Sequence, residues 1–359
     1  MSLSERDVMD ALRQVAYPGF TRDIVSFGMV RDLTVNSGSV SFRLHAPGIS
    51  PQIAQSILAA ARAAVLGLPG ARTVDATLAS VDAAERHAPI LPGVRNVIAV
   101  ASGKGGVGKS TVAVNLAVAL ARGGAATGLL DADVYGPSIP MMMGIDEQPR
   151  LDHAGERIVP FERHGVRLMS LGFLVPADSA VIWRAPLVSK AVKQLLRDVE
   201  WGELDVLVVD MPPGTGDVQL TLAQNVRLAG AVIVTTPQDV ALADAIKGVA
   251  MFRKVDVPVL GIVENMSYFA CPHCGTRTEI FGHGGGRSEA LRLDVPFLGE
   301  IPLDAAVRDA GDRGTPIVAA DPSSPQSAAF EGLAMRLLAS PGVVPPSGPG
   351  PARRRVPFS

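Results

Sequence analysis

Gly103-Lys104-Gly105-Gly106-Val107-Gly108-Lys109-Ser110-Thr111 is the stretch that decides how this chain folds. It fits the pattern Gly-x-x-x-x-Gly-Lys-[Ser/Thr], with Gly103, Gly108, Lys109 and Ser110 in the fixed places. The apolar run Val97-Ile98-Ala99-Val100 precedes it and a helical pattern from Val112 to Leu120 follows. That is the strand–loop–helix setting of a phosphate-binding loop. Such glycines let the backbone N–H groups of Gly105, Gly106, Val107 and Gly108 turn inward on phosphate oxygens, and the helix aims its positive end at them. Lys109 is expected to reach the β and γ phosphates, Ser110 to give its hydroxyl to Mg²⁺, and Thr111 to bond the α-phosphate.

Further strand ends extend this machinery. Asp205-Val206-Leu207-Val208-Val209-Asp210 places four apolar residues before an aspartate, and Asp210 is expected to hold Mg²⁺ mainly through water. Met211-Pro212-Pro213-Gly214-Thr215-Gly216-Asp217 follows. Its glycines would let the segment reach the γ-phosphate and move when it leaves; Asp217 either belongs to it or caps the helix Val218–Asn225. Gly128 to Asp133 ends a strand with two carboxylates, Asp131 and Asp133, ahead of the loop-like Val134–Ser138. Val263-Glu264-Asn265 closes another strand, and the Asn265 amide offers adenine both a donor and an acceptor. Pro302 is placed to stack near the base.

From Arg95 the pattern is short apolar strands alternating with helices: Val97–Ala101, Gly128–Leu130, Val206–Val209, Ala231–Thr235, Val259–Val263 and Phe297–Ile301. Runs without polar alternation indicate parallel strands buried on both faces. The expected fold is α/β, a doubly wound parallel sheet over residues 95–340, with ligands at the carboxyl ends of the strands. Residues 1–80 read as a small α+β domain: helix Val8–Val15, strands Met29–Val35 and Val40–His45 around Asn36-Ser37-Gly38, helix Ile53–Leu66 and strand Thr73–Leu78. Residues 81–94 read as a linker, and 341–359, rich in Pro and Gly, as a disordered tail.

Composition narrows the partners. The 359 residues are 47% apolar and 19% charged, enough for a sizeable core. A net charge of −2 gives no electrostatic case for nucleic acid. No apolar run approaches the roughly 20 residues of a membrane span. The opening Met-Ser-Leu-Ser-Glu-Arg-Asp lacks a signal-peptide pattern. A cytoplasmic location without membrane attachment is expected.

The two cysteines stand together in Cys271-Pro272-His273-Cys274-Gly275, so a disulfide framework is excluded. Cys-x-x-Cys spacing lets two thiolates bind one metal centre. Three readings stay open. One is a redox pair, although the pair does not open a helix in a small βαβ unit. Another is a Zn²⁺ site within the chain, needing further ligands such as His273 or His283. The third is a 4Fe–4S cluster held by two copies across a two-fold axis. Met141-Met142-Met143 reads as adaptable apolar surface.

Lys104 lies too early in the loop to share the role of Lys109. At Lys104-Gly105-Gly106-Val107-Gly108-Lys109-Ser110-Thr111 the chain resembles the deviant phosphate-loop ATPases, which include MinD and nitrogenase iron protein. The resemblance implies a homodimer sandwiching ATP, in which Lys104 reaches the partner's nucleotide. It also implies that Asp133 orients the attacking water and that Asp131 lies near the Mg²⁺ shell. Lys104, Lys109 and Asp133 are then the catalytic set.

With Gly261 to Ser267, Cys271 to Gly275, Ile280 to Gly286, Asp131–Pro140 and Asp210–Gly216, residues 93–340 are similar to the Mrp/ApbC family. This implies a slow Mg²⁺-dependent ATPase that carries a bridging 4Fe–4S cluster on Cys271 and Cys274, takes it from an iron–sulfur assembly scaffold and delivers it to apo-proteins. A MinD-type positioning ATPase is the alternative, but the Pro/Gly-rich tail cannot form that type's membrane helix. The first 80 residues resemble the small domain often fused ahead of this family. Here Tyr17-Pro18-Gly19 replaces its acidic motif, and Ser50 precedes Pro51 with no cysteine nearby. A docking role is expected of it rather than iron ligation.

Overall fold

The computed structural model describes residues 3–15, 23–25, 29–36, 38–44, 51–78, 91–134, 136–152, 157–174, 185–216, 219–220, 222–223 and 226–346. Tyr17-Pro18-Gly19, Ser50, most of the linker, Asp217 and the tail beyond 346 lie outside the described residues. Contacts divide the chain into two units, Met1–Ala88 and Pro89–Ser359.

In the first unit, helix Glu5–Leu12 starts at Glu5 rather than Val8 because Ser4 and Asp7 form a capping box. The Asp7 N–H donates to the Ser4 hydroxyl at 3.3 Å, and the Ser4 N–H donates to the Asp7 carboxylate at 3.0 Å. Val8 and Leu12 face a three-stranded sheet ordered Val30–Asn36, Ser39–Leu44, Thr73–Leu78. The first pair is antiparallel. The second is parallel and joined through helix Pro51–Leu66. Val40, Phe42 and Leu44 alternate into the core, the two-residue period of a sheet with one covered face.

The second unit is built on an eight-stranded sheet. In spatial order its strands are Phe297–Glu300, Val259–Glu264, Gly230–Thr235, Val94–Ala101, Leu204–Asp210, Thr127–Asp131, Val166–Ser170 and Phe161–Arg163. All run parallel except the last, which pairs antiparallel at the edge. The two strands at that edge were not expected from sequence. Phe161–Arg163 is too short and charged to carry a pattern, and its return depends on His164 and Gly165, both at positive φ. Helix Lys109–Arg122, which follows the phosphate-loop strand, is buried from Val112 to Leu120 and packs against helix Pro325–Leu338. A helix covered on all sides needs a sequence apolar all round, and the one polar residue of this stretch, Asn115, donates to the Thr111 carbonyl at 3.0 Å and accepts from the Val318 N–H at 3.3 Å. Leu204–Asp210 inserts between the phosphate-loop strand and Thr127–Asp131, so Asp210 sits in register with both Val100 and Asp131. This topology, rather than any local signal, gathers the carboxylates at one sheet end.

Candidate functional site

The loop after Ala101 takes its shape from two glycines with no room for a side chain. A Cβ on Gly103 would lie 2.2 Å from the backbone of Asp244. Gly108 has φ +79°, and its Cβ would lie 2.2 Å from Asn265 Nδ2. Gly108 also opens helix Lys109–Arg122 without any side-chain cap, so the first N–H groups of that helix remain available to an anion. Gly105 and Gly106 are exposed, Val107 is buried, and Ser110 and Thr111 are half-buried.

Above this loop lies a cleft of about 420 Å³. It is lined by Lys104, Gly105, Gly106, Gly108, Lys109, Ser110, Thr111 and Asp133, by Asn265, Met266, Pro302 and Leu303, and by Met141 and Arg308. The structure thus brings together most of the residues singled out from sequence. Lys104 is half-buried in the cleft wall.

The floor of the cleft is charged and dry. Lys109 Nζ donates to Asp210 Oδ1 at 2.7 Å and lies 3.4 Å from Asp133 Oδ2; the Ser110 hydroxyl donates to Asp210 Oδ2 at 2.6 Å. Asp131 does not line the cleft. Its carboxylate, fully buried, accepts from the Ser170 hydroxyl at 2.9 Å, the Asp133 N–H at 3.1 Å and the Ile139 N–H at 3.4 Å. Burial first, then the charge of Asp210 beside it, pushes the Asp131 carboxyl up to about 7, against the hydrogen bonds from Ser170 and Asp133. Burial also raises Asp210, with the Lys109 ammonium working the other way. Asp133 is 8% exposed, and its Oδ1 has no partner among the described residues. Leaving a buried acceptor unpaired costs about 1–3 kcal/mol, a cost recovered when a water or hydroxyl donates to it.

Asn265 lines the cleft at the end of its strand. Its amide nitrogen donates to the carbonyl of Val107 at 2.8 Å, tying the strand end to the phosphate loop. The segment after Asp210 is tied to the loop as well, since the Gly214 N–H donates to the Ser102 carbonyl at 2.9 Å. Sequence reasoning missed Ser170, Glu264 and Ser267. Ser170 stands on one of the unexpected strands, and the other two lie in the quoted Gly261–Ser267 stretch, where only Asn265 carried an expected role.

Cys271 and Cys274 sit on a separate excursion. A two-stranded hairpin, Phe269–Ala270 with Arg277–Thr278, carries them. The Cys271 N–H donates to the Thr276 carbonyl at 3.0 Å, and the Gly275 N–H donates to the Cys271 carbonyl at 2.8 Å. Cys271 is half-buried, Cys274 is exposed, and both are free thiols. Cys274 Sγ is 3.1 Å from the Thr276 hydroxyl, and hydrogen bonding to Thr276 lowers the Cys274 thiol below its ordinary value. Among the described residues no third His, Cys, Asp or Glu joins them in a metal-binding group. His283 instead has its Nδ1 3.3 Å from the Ser267 hydroxyl. The Zn²⁺ site within one chain therefore lacks its further ligands among the described residues.

Residues 93–338 match the family model of the NUBPL iron-transfer P-loop NTPases. The chain belongs to this family. Residues 5–78, ahead of the NTPase, match a model described as an iron–sulfur cluster assembly protein. Relatives of this family include the "Iron-sulfur cluster carrier protein" of Deinococcus radiodurans, 48% identical over 92% of this chain and 93% of its own length. The protein of the same name in Escherichia coli is 50% identical over 77% of this chain and 76% of its own. Among solved structures, a nucleotide-binding protein of Archaeoglobus fulgidus in complex with ADP is similar at 40% identity with TM-score 0.57, covering 67% of this chain and 93% of that one. The cell division ATPase MinD of Pyrococcus furiosus, 23% identical with TM-score 0.54 over 68% of this chain and 99% of its own, shares the fold. As expected, the sheet is the doubly wound parallel sheet of a P-loop NTPase, with a small α+β domain ahead of it.

Proposed function

We propose that this chain is a slow, Mg²⁺-dependent ATPase that carries a 4Fe–4S cluster, held between two copies by Cys271 and Cys274 of each, and passes it to apo-proteins. The observation that carries this reading is a pair of free cysteines on an exposed turn, joined by no third metal ligand among the described residues, rooted beside a phosphate-loop cleft. Two thiolates leave a cluster half-ligated, and a two-fold axis supplies the other two. Relatives named as iron–sulfur cluster carriers support the same cargo.

The residues of the cleft fit the nucleotide part. Lys109 exchanges Asp210 for the β and γ phosphates, which frees an Asp210 oxygen. That oxygen and the Ser110 hydroxyl lie 2.7 and 3.3 Å from the Lys109 ammonium, and hard oxygen donors of this kind suit Mg²⁺ or its waters. When bound, the ion would neutralise charge building on the phosphates. Asp133 Oδ1, buried and without a partner among the described residues, accepts a hydrogen bond from the water that attacks the γ-phosphorus as the bond to ADP breaks. Asp131, held by Ser170, lies beside Asp210 in the sheet and near the Mg²⁺ shell. Asn265, Pro302 and the cleft wall enclose the base. Lys104, which makes no ion pair among the described residues, reaches the nucleotide of the second copy. An iron–sulfur assembly scaffold is the source of the cluster. The cytoplasm is the proposed location, where thiols stay reduced; no described helix is long and apolar enough to cross a membrane.

Anaerobic loading with iron and sulfide tests this, with both elements counted per chain and size read by light scattering. About two irons and two sulfides per chain in a dimer, lost in Cys271→Ala, are expected. Zn²⁺ alone, or no labile sulfide, would sink the carrier reading.

A further inference from the structure

Glu264 is fully buried yet takes no part in the chemistry above. Its carboxylate accepts from three donors: the Ser267 hydroxyl at 2.6 Å, the Gly284 N–H at 3.1 Å and the Gly286 N–H at 2.6 Å. These donors mark the two ends of one excursion. The chain leaves the sheet after Glu264, passes Ser267, runs out through the hairpin carrying Cys271 and Cys274, and returns at Gly284 to begin helix Gly285–Arg292. One carboxylate therefore pins both feet of the cysteine-bearing segment. His283, at the returning foot, meets Ser267 as well. Gly286 is placed for this contact, since a Cβ there would lie 3.1 Å from Glu264.

The same strand end touches the nucleotide cleft. Asn265, next in sequence, donates to Val107 of the phosphate loop. The Ser267 N–H donates to the Ile301 carbonyl at 3.0 Å, and the Leu303 N–H donates to the Tyr268 carbonyl at 2.8 Å. Pro302 and Leu303 line the cleft, and Phe269 bridges to Leu303. Cleft wall and hairpin root are thus joined through backbone, and Glu264 closes the join from the other side.

We propose that Glu264 is a positioning residue that couples nucleotide occupancy to the Cys271–Cys274 turn: by clamping Ser267 to Gly284 and Gly286, it makes the cysteine excursion move as one piece with the Asn265–Leu303 wall of the cleft. Without the clamp, the wall can still hold nucleotide, but the turn no longer follows it. The coupling rests on the carrier reading only for its biological meaning, because the mechanical link concerns the apo chain.

The test compares cysteine alkylation in the full-length apo protein with and without Mg²⁺ and a non-hydrolysable ATP analogue, in the parent and in Glu264→Gln. The amide directs an N–H₂ at donors that now face a carboxylate, so one or more of the three bonds fails. In the parent the analogue is expected to change the alkylation rate of Cys271 or Cys274 about fivefold or more, the lower end of allosteric coupling. In Glu264→Gln that response falls to within about 1.5-fold, while the affinity for the analogue stays within about threefold. A general loss of structure would move affinity and the unfolding midpoint together with the response. Should Glu264→Gln fail to fold, Ser267→Ala removes one foot of the clamp and is expected to cut the response to roughly half or less of the parental value. A folded Glu264→Gln or Ser267→Ala protein that keeps the full response, or a parent that shows none, overturns the proposal. Iron and sulfide content of the loaded parent is measured alongside, and its failure would count against the carrier reading without touching the alkylation result.

Discussion

Lys109, Asp133 and Asp210 are 6%, 8% and 0% exposed, whereas every residue from Pro272 to Ile280 around the cysteine turn is exposed. In the cleft, oriented N–H groups and paired charges are packed where water is scarce. There each fixed dipole acts strongly on phosphate charge and needs no rearrangement during the reaction. The cysteine turn is held mainly by its own backbone hydrogen bonds and a guanidinium, that of Arg277, 3.3 Å above the Tyr268 ring. A site that must release its cargo to another protein has to be reachable. The contrast indicates that this fold keeps bond-breaking and delivery in separate environments, linked through Asn265 to Leu303 rather than merged.

The first way to break that comparison is Lys109→Ala. Steady phosphate release is expected to fall by at least about 10²-fold, the scale seen when a main electrostatic contact to a transition state is removed. Iron and sulfide content should remain that of the parent. Phosphate release that persists would mean the cleft is not the reaction site, and lost cluster would mean that the two regions are not separable.

The next concerns the dry floor. Asp131 titrates near 3.8 when unfolded and near 7 when folded. Between these values the folded chain binds more protons than the unfolded one, so stability falls as pH rises from about 4 to about 7 and then levels. The buried carboxyl is tolerated best while protonated. Urea unfolding of the nucleotide-free protein at pH 5 and 7.5 is expected to show the lower stability at pH 7.5, with a smaller difference in Asp131→Asn. Equal differences in the two proteins would remove Asp131 as the cause.

Smallest is the effect expected at the exposed turn. Thr276→Val removes the hydroxyl beside Cys274, so the thiol returns toward its ordinary value. Alkylation of Cys274 at neutral pH should slow by roughly two- to fivefold, the effect of one net hydrogen bond, and Thr276→Ser should restore it. Unchanged kinetics would show that solvent, rather than Thr276, sets this thiol.

Residues 103–111 were legible because phosphate binding needs a fixed local order: glycines for backbone reach, then lysine and hydroxyl at the helix start. The apolar runs of the central strands were legible for a related reason, since a strand covered on both faces must be apolar along its length. The cysteine pair was legible as a metal-binding spacing, but that no third His, Cys, Asp or Glu joins it among the described residues is a tertiary fact. Ser170 was not legible at all, because it acts through strand pairing that places it beside Asp131, 39 residues away.

By itself the sequence determined the nucleotide loop, six apolar strands of the sheet, and the chemistry available to the two thiols. All of these depend on contacts between near neighbours in the chain. Tertiary structure alone decided that Leu204–Asp210 lies between two earlier strands and so sets Asp210 beside Asp131. It alone decided that the amide of Asn265 binds Val107, and that Glu264 joins both feet of the cysteine excursion. Buried polar groups must find partners wherever the fold brings donors to them. Those partners here come from segments far apart in sequence, where no local pattern records them.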